Sequence, residues 1–276
     1  MRVDQCIVSV EQRSVGGCID LAFVFVRKYA AFLGQMLALF AIPSTLAVVL
    51  ISYFTTDILM WSAILFLGMT PLLSAIIVAA IGPQVFGQTI DFNETASRIL
   101  NRILIYLVFI LLIRFVFFFC SFLIVPGLLL LPVAGHLAEI LFLEECPSSK
   151  VISREFWLVG DGGYFRFLWH TVVLAFFWLI LSLGCLLTID LLCTTLFSTP
   201  VLFGRIVSSP DAADAAYVLI TSDVRTAAAL HLAIWLPFPI IRIAWFFSYL
   251  DQRIRAECWD LEVKYRTEAI RLGETS

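Results

Sequence analysis

Three ionisable residues, Arg114, His136 and Glu139, lie inside long apolar runs, where their side chains could do chemistry. Pro126 and Gly127 predict a turn between two antiparallel helical arms, and Arg114 and Glu139 each lie about 12 residues from that turn, roughly 18 Å along a helix. Both residues therefore fall near the middle of a hydrocarbon layer about 30 Å thick. Because a lone charge there costs at least about 2.5–3.5 kcal/mol, we predict an intramembrane Arg114–Glu139 ion pair.

The predicted pair has two interpretations. It can fix the register of neighbouring helices without binding any solute. Alternatively, it borders a polar cavity together with His136, which lies one helical turn before Glu139 on the same face and could relay protons. A metal site is disfavoured, because His170 and His231 belong to other predicted spans and the three histidines do not converge at one depth.

The composition is typical of a membrane protein rather than of a water-soluble one. Of the 276 residues, 61% are hydrophobic and 14% are charged, whereas soluble domains average about 25% charged residues. The mean hydropathy is +0.99, and repeated apolar runs reach about 20 residues, the length that crosses a bilayer. The net charge of −3 argues against a nucleic-acid partner, and the seven cysteines form no C-x-x-C motif that would predict a zinc site.

These runs predict an all-α fold, an integral membrane bundle of about six transmembrane helices. We expect three hairpins, each preceded by an interfacial amphipathic helix. Residues 191–207 are apolar but short, and we expect them to re-enter the membrane or to lie in the interface rather than to form a seventh span. The predicted spans are residues 35–56, 58–82, 103–124, 128–143, 166–189 and 226–250.

The three predicted interfacial segments are residues 15–33, 83–102 and 144–167, and each contains two or three Lys or Arg residues. Such residues attract anionic lipid headgroups by about 1 kcal/mol each near the surface, although the ordinary setting of topology by Lys and Arg also explains them. Glu144 and Glu145 close the fourth predicted span, and they are expected either to be ordinary helix-end charges or to face Lys150, Arg154 or Arg242. The candidates for contact with lipid or with a partner are Arg27, Lys28, Arg98, Arg102, Lys150 and Arg154.

Lys and Arg cluster on one side of the predicted spans, which indicates that both termini lie in the cytoplasm. The expected organisation is a polar tail at residues 1–14, one transmembrane domain at residues 15–250 and a charged helical tail at residues 251–276. A seventh span at residues 191–207 would break this arrangement, because it would place the basic C-terminal tail on the opposite side.

The C-terminal tail carries opposite charges at i and i+4, a spacing that stabilises a helix by about 0.2–0.5 kcal/mol per pair. One interpretation is a solvated helix held by its own charges. The other is a docking surface for the cytoplasmic segments or for a protein partner, in which Trp259 and Leu261 take part. The expected pairs are Asp251–Arg255, Arg253–Glu257, Asp260–Lys264 and Glu262–Arg266.

Four motifs of the chain are Cys18-Ile19-Asp20-Leu21, Ile124-Val125-Pro126-Gly127, Ser153-Arg154-Glu155-Phe156-Trp157 and the segment from Tyr249 to Glu262. They resemble motifs of bacterial multi-pass proteins of the YciC-like type, which are related to the membrane domain of glycerophosphoryl diester phosphodiesterases. Glu155 stands where the family usually has a serine, and Cys258 replaces a glycine. The resemblance implies a helical integral protein of the bacterial inner membrane, and it carries over no phosphodiesterase activity because the catalytic barrel is absent.

No motif predicts an enzyme or a cofactor. The chain has no nucleophile elbow, no phosphate-binding glycine loop and no H-E-x-x-H sequence. We therefore expect a non-catalytic membrane protein, a scaffold or accessory subunit that contacts membrane lipids or, through its tail, a protein partner. The alternative is a transporter or lipid-handling protein with a polar intramembrane cavity around Arg114, His136 and Glu139.

Overall fold

The secondary structure of the described residues is helical. The computed structural model describes residues 11–55, 57–87, 92–121, 135–160 and 163–258. A single 3₁₀ turn, Ser148–Lys150, precedes the sixth of the described helices. In chain order the helices are α1 (Val15–Lys28), α2 (Ala30–Ile51), α3 (Ile58–Val85), α4 (Phe92–Ser121), α5 (Leu137–Phe142), α6 (Val151–Gly160), α7 (Tyr164–Phe197), α8 (Phe203–Val207), α9 (Ala212–Ser222), α10 (Val224–Trp235) and α11 (Phe238–Glu257).

Five helical stretches of the described chain are long and apolar enough to cross a membrane: α2, α3, residues 95–117 of α4, α7, and α10 taken with α11. They coincide with five of the six predicted spans and are consistent with a multi-pass membrane protein. Of the remaining predicted span, residues 128–143, the part at residues 135–143 is described and contains α5, whereas residues 128–134 lie outside the described residues.

The described residues divide into two compact units. One unit takes the described parts of Met1–Phe25, Ser74–Leu174 and Arg242–Ser276. The other consists of the described parts of Val26–Leu73 and Ala175–Ile241. We call them the first unit and the second unit.

Two prolines within the long apolar helical stretches have different effects on the helix. Pro43 lies inside α2, where the hydroxyls of Ser44 and Thr45 donate to the carbonyl of Ala41 at 3.1 and 2.7 Å. Both are local bonds to the helix backbone, whereas the carbonyl that Pro43 leaves without its helical N–H partner is that of Leu39, four residues earlier. Near Pro237, by contrast, α10 ends at Trp235 and α11 begins at Phe238, so the helix is interrupted at the proline.

Two predicted boundaries are wrong. The segment at residues 83–102 was expected to hold a separate interfacial helix, but Phe92–Ser121 is one helix of 30 residues. No glycine or proline occurs between its ends, so nothing in the sequence stops it. The fifth span was expected to end near Asp190, but α7 continues to Phe197.

Asp190 explains why the chain can turn back after α7. Its side chain is buried, and its carboxylate accepts hydrogen bonds from the backbone N–H groups of Val201 (2.6 Å), Leu202 (2.8 Å) and Phe203 (3.2 Å). The acid therefore holds the start of α8 against α7, and it satisfies three donors that would otherwise be buried without partners. Short helices, α8 and α9, then follow in the segment whose placement was uncertain from sequence.

His231 links three helices of the second unit. The imidazole is fully buried; its Nε2 lies 3.0 Å from Ser44 Oγ on α2 and its Nδ1 lies 2.8 Å from Ser62 Oγ on α3. Trp235 Nε1 donates to His231 Nε2 at 3.1 Å. Because Nε2 is thus an acceptor, Nδ1 carries the proton and donates to Ser62. His231 was predicted to lie apart from the other two histidines. In the structure its hydrogen bonds join α10 to α2 and α3.

Replacing Asp190 with alanine should destabilise the second unit. The change leaves three backbone donors without their carboxylate, and hydrogen bonds to charged groups are worth about 1.5–3 kcal/mol each. We expect a loss of about 3 kcal/mol or more, seen as a fall of about 6–12 °C in the melting temperature of the detergent-solubilised protein. Thr188→Ala, which removes an exposed hydroxyl bonded only to its own helix, is the matched control. Equal melting temperatures for the two variants would contradict this assignment.

Candidate functional site

Four buried polar residues meet in the first unit: His136, Glu139, Glu155 and Arg242. We call them the buried polar cluster. His136 and Glu139 are 0% exposed, and Glu155 and Arg242 are 4% and 8% exposed. They come from the turn before α5, from α5 itself, from α6 and from α11.

The carboxylate of Glu139 is paired, but not with the residue predicted from sequence. Arg242 Nη1 lies 2.7 Å from Glu139 Oε1, so the ion pair joins α5 to α11. The predicted Arg114–Glu139 pair is therefore corrected: among the ion pairs of the described residues, Arg242 is the partner of Glu139. Arg114 is half-buried on α4 and has interactions of its own. Equal depth in a bundle does not specify which helix faces which, and this is why the prediction chose the wrong arginine.

His136 and Glu155 join the cluster through the backbone. The His136 N–H donates to Glu155 Oε1 at 3.1 Å, which fixes α6 against the turn before α5. Within the part of the chain that the structure describes, four buried side-chain atoms of the cluster have no hydrogen-bond partner: both ring nitrogens of His136, Glu139 Oε2 and Glu155 Oε2. Buried polar atoms are nearly always hydrogen-bonded, so these four could bind water or a small polar ligand.

Close packing encloses the imidazole of His136. Its ring centroid lies 4.1 Å from that of Phe167, and Tyr249 and Trp245 lie farther off at 5.2 and 6.2 Å. Gly135 makes this packing possible, because a Cβ at that position would lie 2.6 Å from Trp245 and 2.9 Å from Phe167. The Trp245 indole N–H also donates to the Gly135 carbonyl at 2.7 Å. The cluster is therefore a packed polar core with aromatic walls.

A second group of charges lies beside the cluster, and we call it the charge network: Glu144, Arg154, Arg253 and Glu257. Arg154 binds Glu144 through two hydrogen bonds, Nε to Oε2 at 2.8 Å and Nη2 to Oε1 at 3.0 Å, and it also pairs with Glu257. Arg253 lies 3.3 Å from Glu144 and 2.7 Å from Glu257. Two arginines and two glutamates thus neutralise one another across α6, α11 and the residues after α5. Burial opposes the charge of Arg154, but hydrogen bonds from its guanidinium to the two carboxylates outweigh this and raise the pKa of Arg154.

Asp251 and Arg255 on α11 bind residues near the start of the described chain. Asp251 is only 1% exposed; it pairs with Arg255 at 2.9 Å and accepts from the backbone N–H of Arg13 at 2.6 Å. Arg255 also donates to Gln12 Oε1 at 2.6 Å. Gln252 donates to the carbonyl of Leu158 on α6 at 3.0 Å. This part of the predicted tail is packed inside the first unit.

The predicted i and i+4 pairs Asp251–Arg255 and Arg253–Glu257 are confirmed, and so is the expectation that Glu144 faces Arg154. The interpretation of the tail as a solvated helix is wrong for Asp251 to Arg253, whose side chains are buried. Asp260, Glu262 and the other tail residues from 259 onward lie outside the described residues.

The remaining basic candidates do not join the cluster or the charge network. Arg27 and Lys28 are exposed in the last turn of α1, and Lys150 is exposed in the 3₁₀ turn before α6. Arg98 and Arg102 lie one turn apart on α4, where Arg98 is 3.9 Å from Glu145 and Arg102 donates to the carbonyl of Cys146 at 2.9 Å.

Sequence reasoning missed Arg242 as the partner of Glu139 and missed Glu155 as a buried residue. The signal for Arg242 was present, because it is a lone cation within the apolar run of the last predicted span and so needed a partner. The signal for Glu155 was weak, since a glutamate in a short amphipathic helix normally lies on the polar face.

No family model matches the chain, and neither a curated protein nor a solved structure matches it significantly. The described residues also bring together no three His, Cys, Asp or Glu side chains in an arrangement that could hold a metal ion.

The Glu139–Arg242 pair can be tested by a double-mutant cycle. Glu139→Gln should destabilise the protein by about 3–5 kcal/mol, because it leaves the Arg242 charge buried and uncompensated. The double variant Glu139→Gln/Arg242→Met should recover part of that loss. Adding Arg114→Met to Glu139→Gln is the matched control and should recover none. The measured quantity is the free energy of unfolding in detergent. If the Arg114 change recovered stability instead, the Arg114–Glu139 pair predicted from sequence would be supported.

Glu155 should make stability depend on pH. Burial, together with the nearby charges of Glu139 and Glu144, raises the pKa of Glu155 well above its ordinary value of 4.5, despite the opposing hydrogen bond from His136. The protonated form is thus favoured by folding, and this stabilisation is lost as the pH rises from 4.5 through the raised pKa.

The amide introduced by Glu155→Gln is neutral throughout this pH range. We expect the variant to melt at a higher temperature than the native protein at about pH 8 and at a similar temperature at about pH 4. Glu145→Gln, at a carboxylate whose side chain is 56% exposed, is the control and should show no such difference. A lower melting temperature for Glu155→Gln at the higher pH would refute the assignment.

Proposed function

We propose that this chain is a non-catalytic membrane scaffold or accessory subunit that contacts lipids and a protein partner through the polar end of its first unit. The charge network is the observation that carries the proposal. It joins α6, the residues after α5 and the end of α11, and Asp251 and Arg255 add the segment at Gln12 and Arg13. A surface whose backbone is held this way is already organised before a partner arrives, which lowers the entropy cost of binding.

Helix α6 supplies a surface for such contacts. Val151, Leu158 and Val159 are buried, whereas Ile152, Phe156 and Trp157 are 58%, 56% and 47% exposed. The guanidinium of Arg154 lies 4.7 Å from the centre of the Trp157 ring, which combines an aromatic face with a charge. A short helix with exposed aromatic residues and nearby cations suits the membrane interface or an interface with another protein.

The proposal also includes a cellular location for the chain and interfacial positions for two of its helices. Placement of this end in the cytoplasm of a bacterial inner-membrane protein rests on the distribution of Lys and Arg and on the resemblance to YciC-like proteins. Interfacial positions for α1 and α6 rest on their amphipathic character and on the exposed basic residues Arg27 and Lys28 at the end of α1.

Site-specific photo-crosslinking in intact membranes tests the proposal. A benzoylphenylalanine at Phe156 should give a discrete protein adduct, because that side chain lies on the exposed face of α6. The same group at Phe165, which is 77% exposed at the start of α7, is the matched control and should give only lipid adducts. Identical adducts from the two positions, or lipid alone from both, would rule out a protein-binding role for α6.

The buried polar cluster favours a second candidate, a transporter or lipid-handling protein with a polar intramembrane site at His136 and Glu139. Its unpartnered atoms are donors and acceptors that a small polar molecule could use. Arg114, the third residue expected at such a site, is not the ion-pair partner of Glu139. Mass spectrometry of small molecules retained by the purified protein distinguishes this candidate, since a molecule that His136→Leu releases would favour it over the scaffold.

A further inference from the structure

A cavity of about 490 Å³ opens in the first unit between α4 and the segment that follows α5. Its polar lining residues include Arg98, Asn101 and Arg102 on α4 and Glu145 and Ser148 on the opposite segment. Its apolar lining residues include Ile105 on α4 and Leu141 and Phe142 on α5. Its described lining residues include no member of the buried polar cluster or of the charge network.

The cations of this cavity are suited to a phosphate group. Arg102 is held in place, because its Nη1 donates to the carbonyls of Cys146 at 2.9 Å and Leu141 at 3.4 Å. Arg98 lies one turn earlier on the same face of α4 and approaches Glu145 at 3.9 Å. Among the described residues that line the cavity, the charged ones are these two arginines and Glu145. Guanidinium groups bind phosphate oxygens with good geometry.

An apolar surface continues from the cavity along α4. Ile105, Val108 and Leu112 follow the arginines at helical spacing, and they are 39%, 58% and 55% exposed. They belong to the stretch of α4 that could cross a membrane, of which only 6% is buried within the chain. The chain therefore presents a cationic cavity directly beside a surface suited to hydrocarbon.

We infer that this cavity binds the phosphate headgroup of an anionic glycerophospholipid, with the acyl chains along Ile105, Val108 and Leu112. The juxtaposition of the two features carries the inference. A soluble phosphate would use only the arginines, and a neutral lipid only the apolar residues, whereas an anionic lipid uses both. The inference rests on the lipid contact in the proposed function and deepens it. The protein-binding role of α6 is separate, so crosslinking at Phe156 and lipid binding at this cavity can fail independently.

Native mass spectrometry of the full-length protein, released from micelles, measures this binding. The probes are phosphatidylglycerol and phosphatidylcholine with the same acyl chains, and glycerol 3-phosphate as the headgroup without chains. We expect phosphatidylglycerol to bind at least about tenfold more tightly than phosphatidylcholine, and glycerol 3-phosphate to bind far more weakly than either. Arg98→Gln should weaken phosphatidylglycerol binding about fivefold, which corresponds to about 1 kcal/mol for one cation near the membrane surface.

Two neighbouring serines provide a matched pair of variants. Ser148 and Ser149 are both exposed in the 3₁₀ turn, but only Ser148 lines the cavity. Ser148→Trp should fill the cavity and abolish the preference for phosphatidylglycerol, whereas Ser149→Trp should keep it. Because both side chains are exposed, neither change should prevent folding, which equal melting temperatures would verify.

Three results would overturn the inference. The first is equal affinity for phosphatidylglycerol and phosphatidylcholine, and the second is the same loss with Ser149→Trp as with Ser148→Trp. The third is glycerol 3-phosphate binding as tightly as the lipid, which would indicate a site for soluble phosphate and leave no role for the apolar surface of α4.

Discussion

The carboxylate of Glu139 is fully enclosed, and the structure of the first unit depends on its neutralisation by Arg242. Burial of an unpaired carboxylate costs several kcal/mol, and only a well-placed cation with a direct hydrogen bond offsets that cost. The 2.7 Å contact between the two side chains meets this requirement and fixes α5 on α11. Since α11 also carries Asp251, Arg253 and Glu257, its position determines where the remaining charges can pair.

Hydropathy and helical spacing account for what could be predicted. Five of the expected spans coincide with helices of the described chain, because an apolar run of this length has few other stable states. The pairs Asp251–Arg255 and Arg253–Glu257 follow from the i and i+4 geometry, which needs no knowledge of tertiary packing.

The composition of the buried polar cluster could not be derived in the same way. The depth argument requires some cation opposite Glu139, but depth alone does not distinguish Arg114 on α4 from Arg242 on α11. That choice depends on the rotation of each helix about its axis and on which helices are neighbours, and a single sequence contains neither. Glu155 was hidden for a related reason, since its burial comes from the packing of α6 and not from its local pattern.

The length of α7 has a consequence for the bilayer itself. Its 34 residues extend about 51 Å, whereas the hydrocarbon layer is about 30 Å thick. If α7 stood upright in the membrane, several of its helical turns would protrude from the hydrocarbon layer. A tilt would bring more of these turns into the layer. Asp190 lies in the final third of this helix, with the backbone of Val201 to Phe203 folded over it. A change of membrane thickness would therefore alter the tilt of α7, and the turn that Asp190 holds would change its depth together with this end of the helix.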